Sequence, residues 1–467
     1  MPQPLAPTLA AAALLLSVAT STLAQVQEPP DTPPAAKREL WLPLAEIIGF
    51  DILVNRANYY WGPESDKPDY AVTMDSIRRN LHSSWTVDSD PFKVNQLGHP
   101  YQGSMYYGFA RSAGFNFWES TGYALAGSAL WEIAGETTRP SRNDMVSTGI
   151  GGSFLGESLF RMANLVLEKG GGIRNRFWRE TAAAVVSPST AFNRYLQGGG
   201  PDTIFSSRDA DYYSRLQLGV MGNVQNERGN STASVHNEVQ ADFALDYGLP
   251  GKDGYQYRRP FDYFAFQATA TTANFFENVM TRGLLVGRDY KEGPNYRGIW
   301  GLYGSYDYIS PQTFRISSTA LSLGTTGQWR HDKVVLQGTA MAGLGYAAVG
   351  TINSVDAAVD RDYHYGVAPQ ALLAGRAIFA DRSSLDLTLR EYFVSDVGNR
   401  GGHDNIARAD IAYTWRVKDQ HAVTVKYLYN RRDANYPDLG NRSQSRGTFG
   451  IFYTLLGNDH FGAVDWK

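Results

Sequence analysis

The sequence predicts a transmembrane β-barrel of about twelve antiparallel strands, preceded by an α-helical module. Three observations lead to this fold class. An apolar run of secretory length opens the chain, the second half alternates polar and apolar residues, and aromatic residues are abundant, with 28 Tyr, 22 Phe and 10 Trp in 467 residues. The mean hydropathy is nevertheless low, at −0.33, as in barrels whose apolar residues occupy alternate positions.

Residues 1–24 are predicted to be a signal peptide. Within them, LAPTLAAAALLLSVATSTLA is the apolar run, and Thr22 and Ala24 occupy the small-residue positions before a cleavage site. A retained N-terminal anchor is the alternative. Residues 25–38 are rich in proline and polar residues, which predicts a disordered leader. The chain has 0 cysteines, so it has no thiol to mispair in an oxidising compartment.

Residues 39–200 are predicted to form the helical module. Apolar residues recur at intervals of three and four in ELWLPLAEIIGFDILVNRANYYW, and residues 145–170 predict a helix that ends at KGGG. Ser141 and Asp144 are candidate caps, and Pro188 interrupts a later helix. Glycines at 152 and 156 predict a close helix contact.

Residues 203–467 are predicted to form the barrel. In SSLDLTLREYF, Leu385, Leu387 and Leu389 share one face, while Asp386 and Arg390 lie on the other. About twelve segments of this kind follow one another, and a barrel of even strand number is typical of outer membranes. A soluble β-sandwich or periplasmic barrel is the alternative, but long strands with one nearly uncharged face favour a membrane.

A stretch from WTVDSDPFKVNQLGHPYQGSMYYGFARS to SRNDMVSTGIGGSFLGESLFR carries the most distinctive residues. They are Asn95, His99, Pro100, Tyr101, Gly103, Ser104, Ala110, Arg111, Phe117, Trp118, Glu119, Ser120, Trp131, Glu132, Glu136, Pro140, Ser141, Asn143, Asp144, Gly151, Gly152, Gly156, Glu157 and Arg161. In these residues, roughly 85–165, the chain resembles the bacterial domain of unknown function 3943 family. The resemblance implies an exported Gram-negative protein of unassigned activity.

His99, Ser104 and Glu119 are the candidate catalytic residues. Serine hydrolysis needs a serine, a histidine within reach and an orienting polar group. Because His99 precedes Pro100, we expect it to lie outside helical conformation. The alternative is a buried polar joint, in which His99 and Ser104 cap helix ends.

A second set of charged residues predicts an ion-pair or ligand network: Arg111, Glu132, Glu136, Asp144, Glu157 and Arg161. Glu132 and Glu136 share a helix face, and Glu157 stands four residues before Arg161, which is the spacing of a helical ion pair. Arg111 is expected to pair through space with a carboxylate such as Glu119. Metal ligation by these carboxylates and His99 is an alternative, but no HExxH spacing is present. We therefore predict no metal and no cofactor.

The functional prediction is an outer-membrane envelope protein, structural or transport-related, whose helical module plugs or underlies the lumen. Its expected partners are outer-membrane lipid and the barrel-assembly machinery. The net charge of −3 does not favour nucleic acid as a partner. One alternative is a membrane-embedded enzyme that modifies or hydrolyses lipid with His99, Ser104 and nearby carboxylates. Another is a periplasmic ligand- or metal-binding protein with a soluble β-domain.

Overall fold

The computed structural model describes residues 38–466 except 89, 171, 228–233, 351–362, 397–400, 438–439 and 458–459. The predicted signal peptide, the leader up to residue 37 and Lys467 lie outside the described residues. No helix in the described part of the chain combines the length and the apolar character needed to cross a membrane.

Twelve strands within the described residues form one closed antiparallel barrel, as predicted. Each strand pairs with its sequence neighbours, and β1 closes the barrel against β12. The strands are β1 (Tyr212–Glu227), β2 (Ser234–Tyr247), β3 (Phe264–Thr271), β4 (Asn278–Glu292), β5 (Tyr296–Ile309), β6 (Arg315–His331), β7 (Val334–Gly350), β8 (Tyr363–Phe379), β9 (Ser383–Asp396), β10 (His403–Lys418), β11 (His421–Tyr436) and β12 (Gly440–Leu456).

The two ends of the barrel differ. At one end, which we call the turn end, tight turns join β6 to β7, β8 to β9 and β10 to β11. In these turns Asp332, Ala380 and Asp419 adopt φ of 49°, 47° and 49°, the left-handed conformation that tight hairpin turns require. The opposite end, the loop end, carries the β5–β6, β7–β8 and β9–β10 connections.

Side chains alternate between the outside and the lumen along each strand. In β11, Val423, Val425 and Tyr427 are exposed on the outside, whereas Thr424 and Lys426 are buried in the lumen. This alternation follows from the two-residue period of a strand. It confirms the assignment of Asp386 and Arg390 to the polar face, since both are buried inside.

The lumen is packed by side chains of the strands, of the connections between them and of residues 460–466. An apolar layer near the turn end comprises Tyr213, Leu249, Val335, Ile378, Leu456, Phe461 and Val464. A second layer near the loop end comprises Met280, Ile309, Phe314, Ile316, Ala347, Val349, Ala368, Tyr392, Val394 and Ile406. Between them lie ion pairs such as Arg376–Asp386 (2.7 Å) and Lys426–Asp410 (3.0 Å).

The helical module, in the part of the chain that the structure describes, consists of α-helices of 3 to 21 residues. The α-helices are α1 (Trp41–Trp61), α2 (Lys67–Tyr70), α3 (Met74–His82), α4 (His99–Ser112), α5 (Phe117–Ala134), α6 (Arg142–Asp144), α7 (Gly152–Lys169), α8 (Arg176–Val186) and α9 (Pro188–Leu196). π-Helical segments at Val94–Gly98 and Met145–Gly151 lead into α4 and α7. The helix predicted over 145–170 is therefore π-helical in its first part, and it ends at Gly170, where φ is 82°.

The prediction for His99 is wrong. It is helical, with φ −61° and ψ −46°, and continues the π-helical turn into α4. Proline is tolerated at the start of an α-helix because the first N–H groups have no partner there. We attribute the helical conformation of His99 to the wider π-helical turn before it, which leaves room for the Pro100 ring.

The module lies against the outer wall of the barrel, which corrects the prediction that it plugs or underlies the lumen. Tyr306 of β5 points outward and donates its hydroxyl hydrogen to the carbonyl of Gln96. Its neighbour Asp307 points into the lumen and accepts a hydrogen bond from Tyr392 (2.8 Å). The module thus packs on the outward tyrosines, whereas charged and apolar side chains of the strands line the lumen.

Glycines let the helices approach one another, as predicted. A Cβ on Gly103 of α4 would lie 1.8 Å from the Thr148 carbonyl oxygen, and one on Gly152 would lie 2.7 Å from the Gly103 Cα. A Cβ on Gly156 would lie 2.8 Å from the Tyr107 ring. The contact between α4 and α7 therefore depends on residues without side chains.

Candidate functional site

The first polar cluster of the module surrounds Glu157 on α7. Its Oε2 accepts hydrogen bonds from Arg111 Nε (3.0 Å) and the Tyr107 hydroxyl (2.7 Å), and its Oε1 accepts one from Arg161 Nε (2.7 Å). All four side chains are buried. Burial by itself raises the pKa of Glu157, but the charges of Arg111 and Arg161 more than offset it and lower that pKa.

This Glu157 cluster continues into the connection between β2 and β3. Arg161 Nη2 donates to the Pro260 carbonyl (2.8 Å), and Arg161 Nη1 lies 3.4 Å from Asp262 Oδ1. Asp262 also forms an ion pair with Arg208 and accepts hydrogen bonds from the backbone N–H groups of residues 258 and 259. The cluster thus joins the module to the β2–β3 connection of the barrel. Asp262 was not among the predicted residues, because it lies about a hundred residues after Arg161 and outside any helical spacing.

The second cluster, the carboxylate cluster, collects acidic residues and a histidine: Asp88, Asp90, His99, Glu132, Glu136 and Asp144. Their charges act on one another, and His99 acts on both Asp90 and Asp144. Burial raises the pKa of Asp90 to about 6, with a further contribution from the charge of Asp88. Burial and neighbouring carboxylates also raise the pKa values of Glu132, Glu136 and Asp144.

Amide side chains connect this cluster to the barrel wall. Asn95 Nδ2 donates to Asp88 Oδ2 (2.8 Å) and to the Tyr363 hydroxyl (2.9 Å). Asn143 Nδ2 donates to Asp144 Oδ1 and to the Tyr365 hydroxyl, both at 2.8 Å. The cluster therefore lies at the seam where the module meets β8.

The three predicted catalytic residues do not form one site. Ser104 lies within α4 and donates its hydroxyl hydrogen to the Tyr101 carbonyl (2.6 Å) and not to His99, and it does not cap a helix end. Glu119 accepts a hydrogen bond from Asn116 N (2.9 Å) in the N-terminal capping box of α5 and forms an ion pair with Arg38. His99 belongs to the carboxylate cluster, and its buried Nδ1 has no hydrogen-bond partner within the described residues.

The structure divides the predicted network into two. Arg111, Glu157 and Arg161 meet in the Glu157 cluster, so that the partner of Arg111 is Glu157 and not Glu119. The remaining carboxylates, at positions 132, 136 and 144, belong to the carboxylate cluster. Glu132 Oε2 accepts from Ser141 N (2.7 Å), and Ser141 caps α6 as predicted.

Metal ligation finds no support in the carboxylate cluster. Across the described residues, no group of three or more His, Asp, Glu or Cys side chains has a geometry that could hold a metal ion. Several of the carboxylate oxygens are already engaged by amide side chains or backbone N–H groups.

A cavity of about 130 Å³ lies in the lumen, and sequence analysis did not identify it as a site. Its charged lining consists of Arg215, Asp246, Arg282, Arg376, Asp386, Arg390, Arg408 and Asp410. The sequence signal that could have pointed to this cavity is the alternation of polar and apolar residues along the strands, which placed Arg390 on the polar face. That signal does not show which polar positions of different strands meet.

Residues 84–189 match the family described as Domain of unknown function (DUF3943), which confirms the resemblance recognised in the sequence. Several solved structures are similar to the chain at low identity. A loop L8 deletion mutant of OmpT, an outer membrane protein of Vibrio cholerae, is 10% identical, with a TM-score of 0.22 over 53% of this chain and 98% of that one. The outer membrane channel DcaP of Acinetobacter baumannii is 10% identical, with a TM-score of 0.24 over 54% and 99%. No curated protein matches the chain.

Proposed function

We propose that this protein is an outer-membrane β-barrel that holds a small polar solute in an occluded lumen and takes part in its transfer, without forming an open pore. The observation that carries the proposal is the charged cavity in the lumen, with one apolar layer toward the turn end and another toward the loop end. An open diffusion channel needs a continuous water-filled path. Here clusters of apolar side chains narrow the lumen on either side of the cavity.

The outer face of the strands supports a lipid environment. Exposed apolar side chains form rows on the outside, among them Leu323 of β6 (67% exposed), Leu344 of β7 and Ile451 of β12. Aromatic side chains such as Trp415 and Trp329 stand exposed near the turn end, as interfacial girdles require. A continuous apolar surface of this extent in water would cause aggregation. Export by a signal peptide and insertion by the barrel-assembly machinery belong to the same proposal.

The closure at the turn end comes from a segment that is not part of the barrel wall. Residues 460–466, the C-terminal segment, place Phe461 and Val464 in the apolar layer. Gln328 Nε2 donates to the Val464 carbonyl (2.6 Å), and Gln337 Nε2 donates to the Gly462 carbonyl (2.6 Å). Because residues 460–466 belong to no strand, they can leave without breaking strand pairing and are the part of the closure best suited to open.

The helical module has a different role in this proposal. It covers the outward tyrosines of β5 and β8 and leaves the lumen free. We assign it to stabilising the barrel wall, to which it is attached in two places. One is the Glu157 cluster, and the other is the pair of hydrogen bonds from Asn95 and Asn143 to tyrosines of β8. The lipid-modifying alternative receives no support from the geometry, because the Ser104 hydroxyl donates to the Tyr101 carbonyl and not to His99.

The test is electrical conductance in planar bilayers, using protein whose folding is verified by heat-modifiable gel mobility. We expect the wild-type protein to show heat modifiability and no steady open-pore conductance. Replacing both Phe461 and Val464 by Ser should produce measurable channel openings, while Ile451→Ser on the outer face should not. A steady conductance of the wild-type protein would overturn the occluded lumen. Mobility that is identical with and without boiling would argue against a membrane barrel.

A further inference from the structure

The cavity in the lumen contains more positive than negative charge. Five arginines line it, at positions 215, 282, 376, 390 and 408, against aspartates at positions 246, 386 and 410. The aspartates are also shared: Arg376 contacts Asp386 (2.7 Å) and Asp246 (3.3 Å). Asp410 is paired with Lys426. Arg390 is paired with Asp307 (3.5 Å) and Arg215 with Asp386 (3.4 Å), so the uncompensated charge is that of the remaining arginines.

Two of these arginines have no ion pair within the described residues. Arg408 is buried (6% exposed), and the hydrogen bonds of its guanidinium go to the neutral amide oxygens of Asn278 (3.3 Å) and Asn430 (3.4 Å), while the charges of Asp410 and Glu277 act on it from farther away. Arg282 Nε is buried without a hydrogen-bond partner in the described part of the chain. Burying an unpaired guanidinium is costly, unless a ligand supplies the missing charge.

We infer that the cavity is a binding site for a small oxyanion, such as inorganic phosphate or sulfate, held by Arg282 and Arg408. The inference rests on the proposed function, since it names the solute class that the occluded lumen would hold. The guanidinium group presents planar pairs of N–H donors that match the oxygens of such anions. Thr326 and Thr339 add hydroxyl groups to the lining.

The size of the cavity agrees with this ligand class. About 130 Å³ is several times the roughly 30 Å³ that one water molecule occupies in the liquid, so a small polyatomic anion fits together with a few waters. Gln337 connects the cavity to its closure, because it lines the cavity and also donates to the Gly462 carbonyl in the C-terminal segment. A ligand entering from the turn end would pass this residue.

The inference is tested by isothermal titration of the full-length protein in detergent with inorganic phosphate and with sulfate, at constant chloride concentration. We expect saturable binding of one anion per barrel. Arg282→Gln and Arg408→Gln should each weaken it about tenfold or more. Arg431→Gln is the matched control, since Arg431 is also a strand arginine but lies exposed outside the cavity. Heat-modifiable mobility verifies that each variant is folded.

Three results would overturn the anion site. They are no binding of either anion by the wild-type protein, weakening by Arg431→Gln equal to that by the cavity variants, and undiminished binding by both folded single variants, Arg282→Gln and Arg408→Gln. These failures are distinct from failure of the proposed function. Conductance reports whether the lumen is occluded, whereas titration reports whether the cavity holds an oxyanion. A barrel that conducts no current and binds no anion would therefore contradict the ligand while leaving the occluded lumen intact.

Discussion

Arg111 Nε on α4 lies 3.0 Å from Glu157 Oε2 on α7, and both side chains are buried. The guanidinium of Arg111 also donates to the Phe115 carbonyl (3.1 Å) and stands over the Phe160 ring. The pair joins two helices through residues that are 46 positions apart in the chain. The other oxygen of Glu157 is bound by Arg161, which in turn reaches the barrel at Asp262.

Arg111→Ala should therefore destabilise the module by about 3 to 5 kcal/mol, because it leaves a buried carboxylate with one of its two counter-charges. Chemical denaturation followed by the helical circular dichroism signal measures the loss. The control is Arg142→Ala, whose exposed side chain should change stability by less than about 0.5 kcal/mol. Equal stability of the two variants would show that the Arg111–Glu157 pair contributes nothing measurable.

Gly103 and Gly122 are expected to respond in opposite directions to the same substitution. Gly103→Ala forces a methyl group against the Thr148 carbonyl and should destabilise the α4–α7 contact by about 1 to 3 kcal/mol or more. Gly122 lies exposed in α5, and a methyl group there would meet no atom within 4 Å, so Gly122→Ala should stabilise the helix by about 0.5 to 1 kcal/mol. Thermal melting of both variants checks the signs. Stabilisation by Gly103→Ala would contradict the close contact.

Ser104→Ala should be nearly neutral, within about 0.5 kcal/mol. The hydroxyl bonds only a carbonyl of its own helix, so its removal leaves no buried group that depended on it. Glu119→Ala should cost about 1 kcal/mol, because the capping box of α5 loses its reciprocal hydrogen bond. Denaturation midpoints separate the two. A large loss of stability in Ser104→Ala would restore the predicted polar joint.

Deleting residues 39–200 should leave a folded barrel, since the strand pairings lie within residues 212–456. Liposome permeability to small solutes should remain that of the full-length protein, because the module lies outside the lumen. Heat-modifiable mobility measures barrel folding and a swelling assay measures permeability. Raised permeability of a folded truncated barrel would place the module in the solute path after all.

The stability of the module should fall as pH rises from about 4 to 7. Burial raises the pKa of Asp90 to about 6 and that of Asp51 to about 7, so the folded state keeps protons that the unfolded state has released. A group of this kind contributes stability at low pH that is lost as pH rises through its folded-state pKa. Burial also raises the pKa of Glu136, in the same direction.

Thermal midpoints of the helical signal between pH 4.5 and 7.5 test this dependence. Glu136→Gln imitates the protonated side chain and should reduce the slope, whereas Glu64→Gln, at an exposed position, should not. A wild-type midpoint that rises steadily over this range would contradict the raised pKa values.

The sequence by itself determined the barrel and the local contacts. Side chains alternate between the two faces of a strand with a period of two, and a tight turn is specified by a few residues. A short stretch of sequence is therefore enough to recognise β9 and the turn at Asp419. The Glu157–Arg161 pair follows from the spacing of a helix, and the glycines at 152 and 156 follow from the need for close approach. Each of these features depends on residues only a few positions apart.

The tertiary structure decided which surfaces meet. Arg111 pairs with Glu157 and not with Glu119, Asp262 contacts Arg161 from the barrel, and Arg282 and Arg408 line the same cavity in the lumen. The same holds for the position of the module on the outer wall, where Tyr306 contacts it. Local periodicity indicates which face of an element is polar. The partner of that face depends on how distant elements pack, because packing is determined by burial and shape over the whole chain.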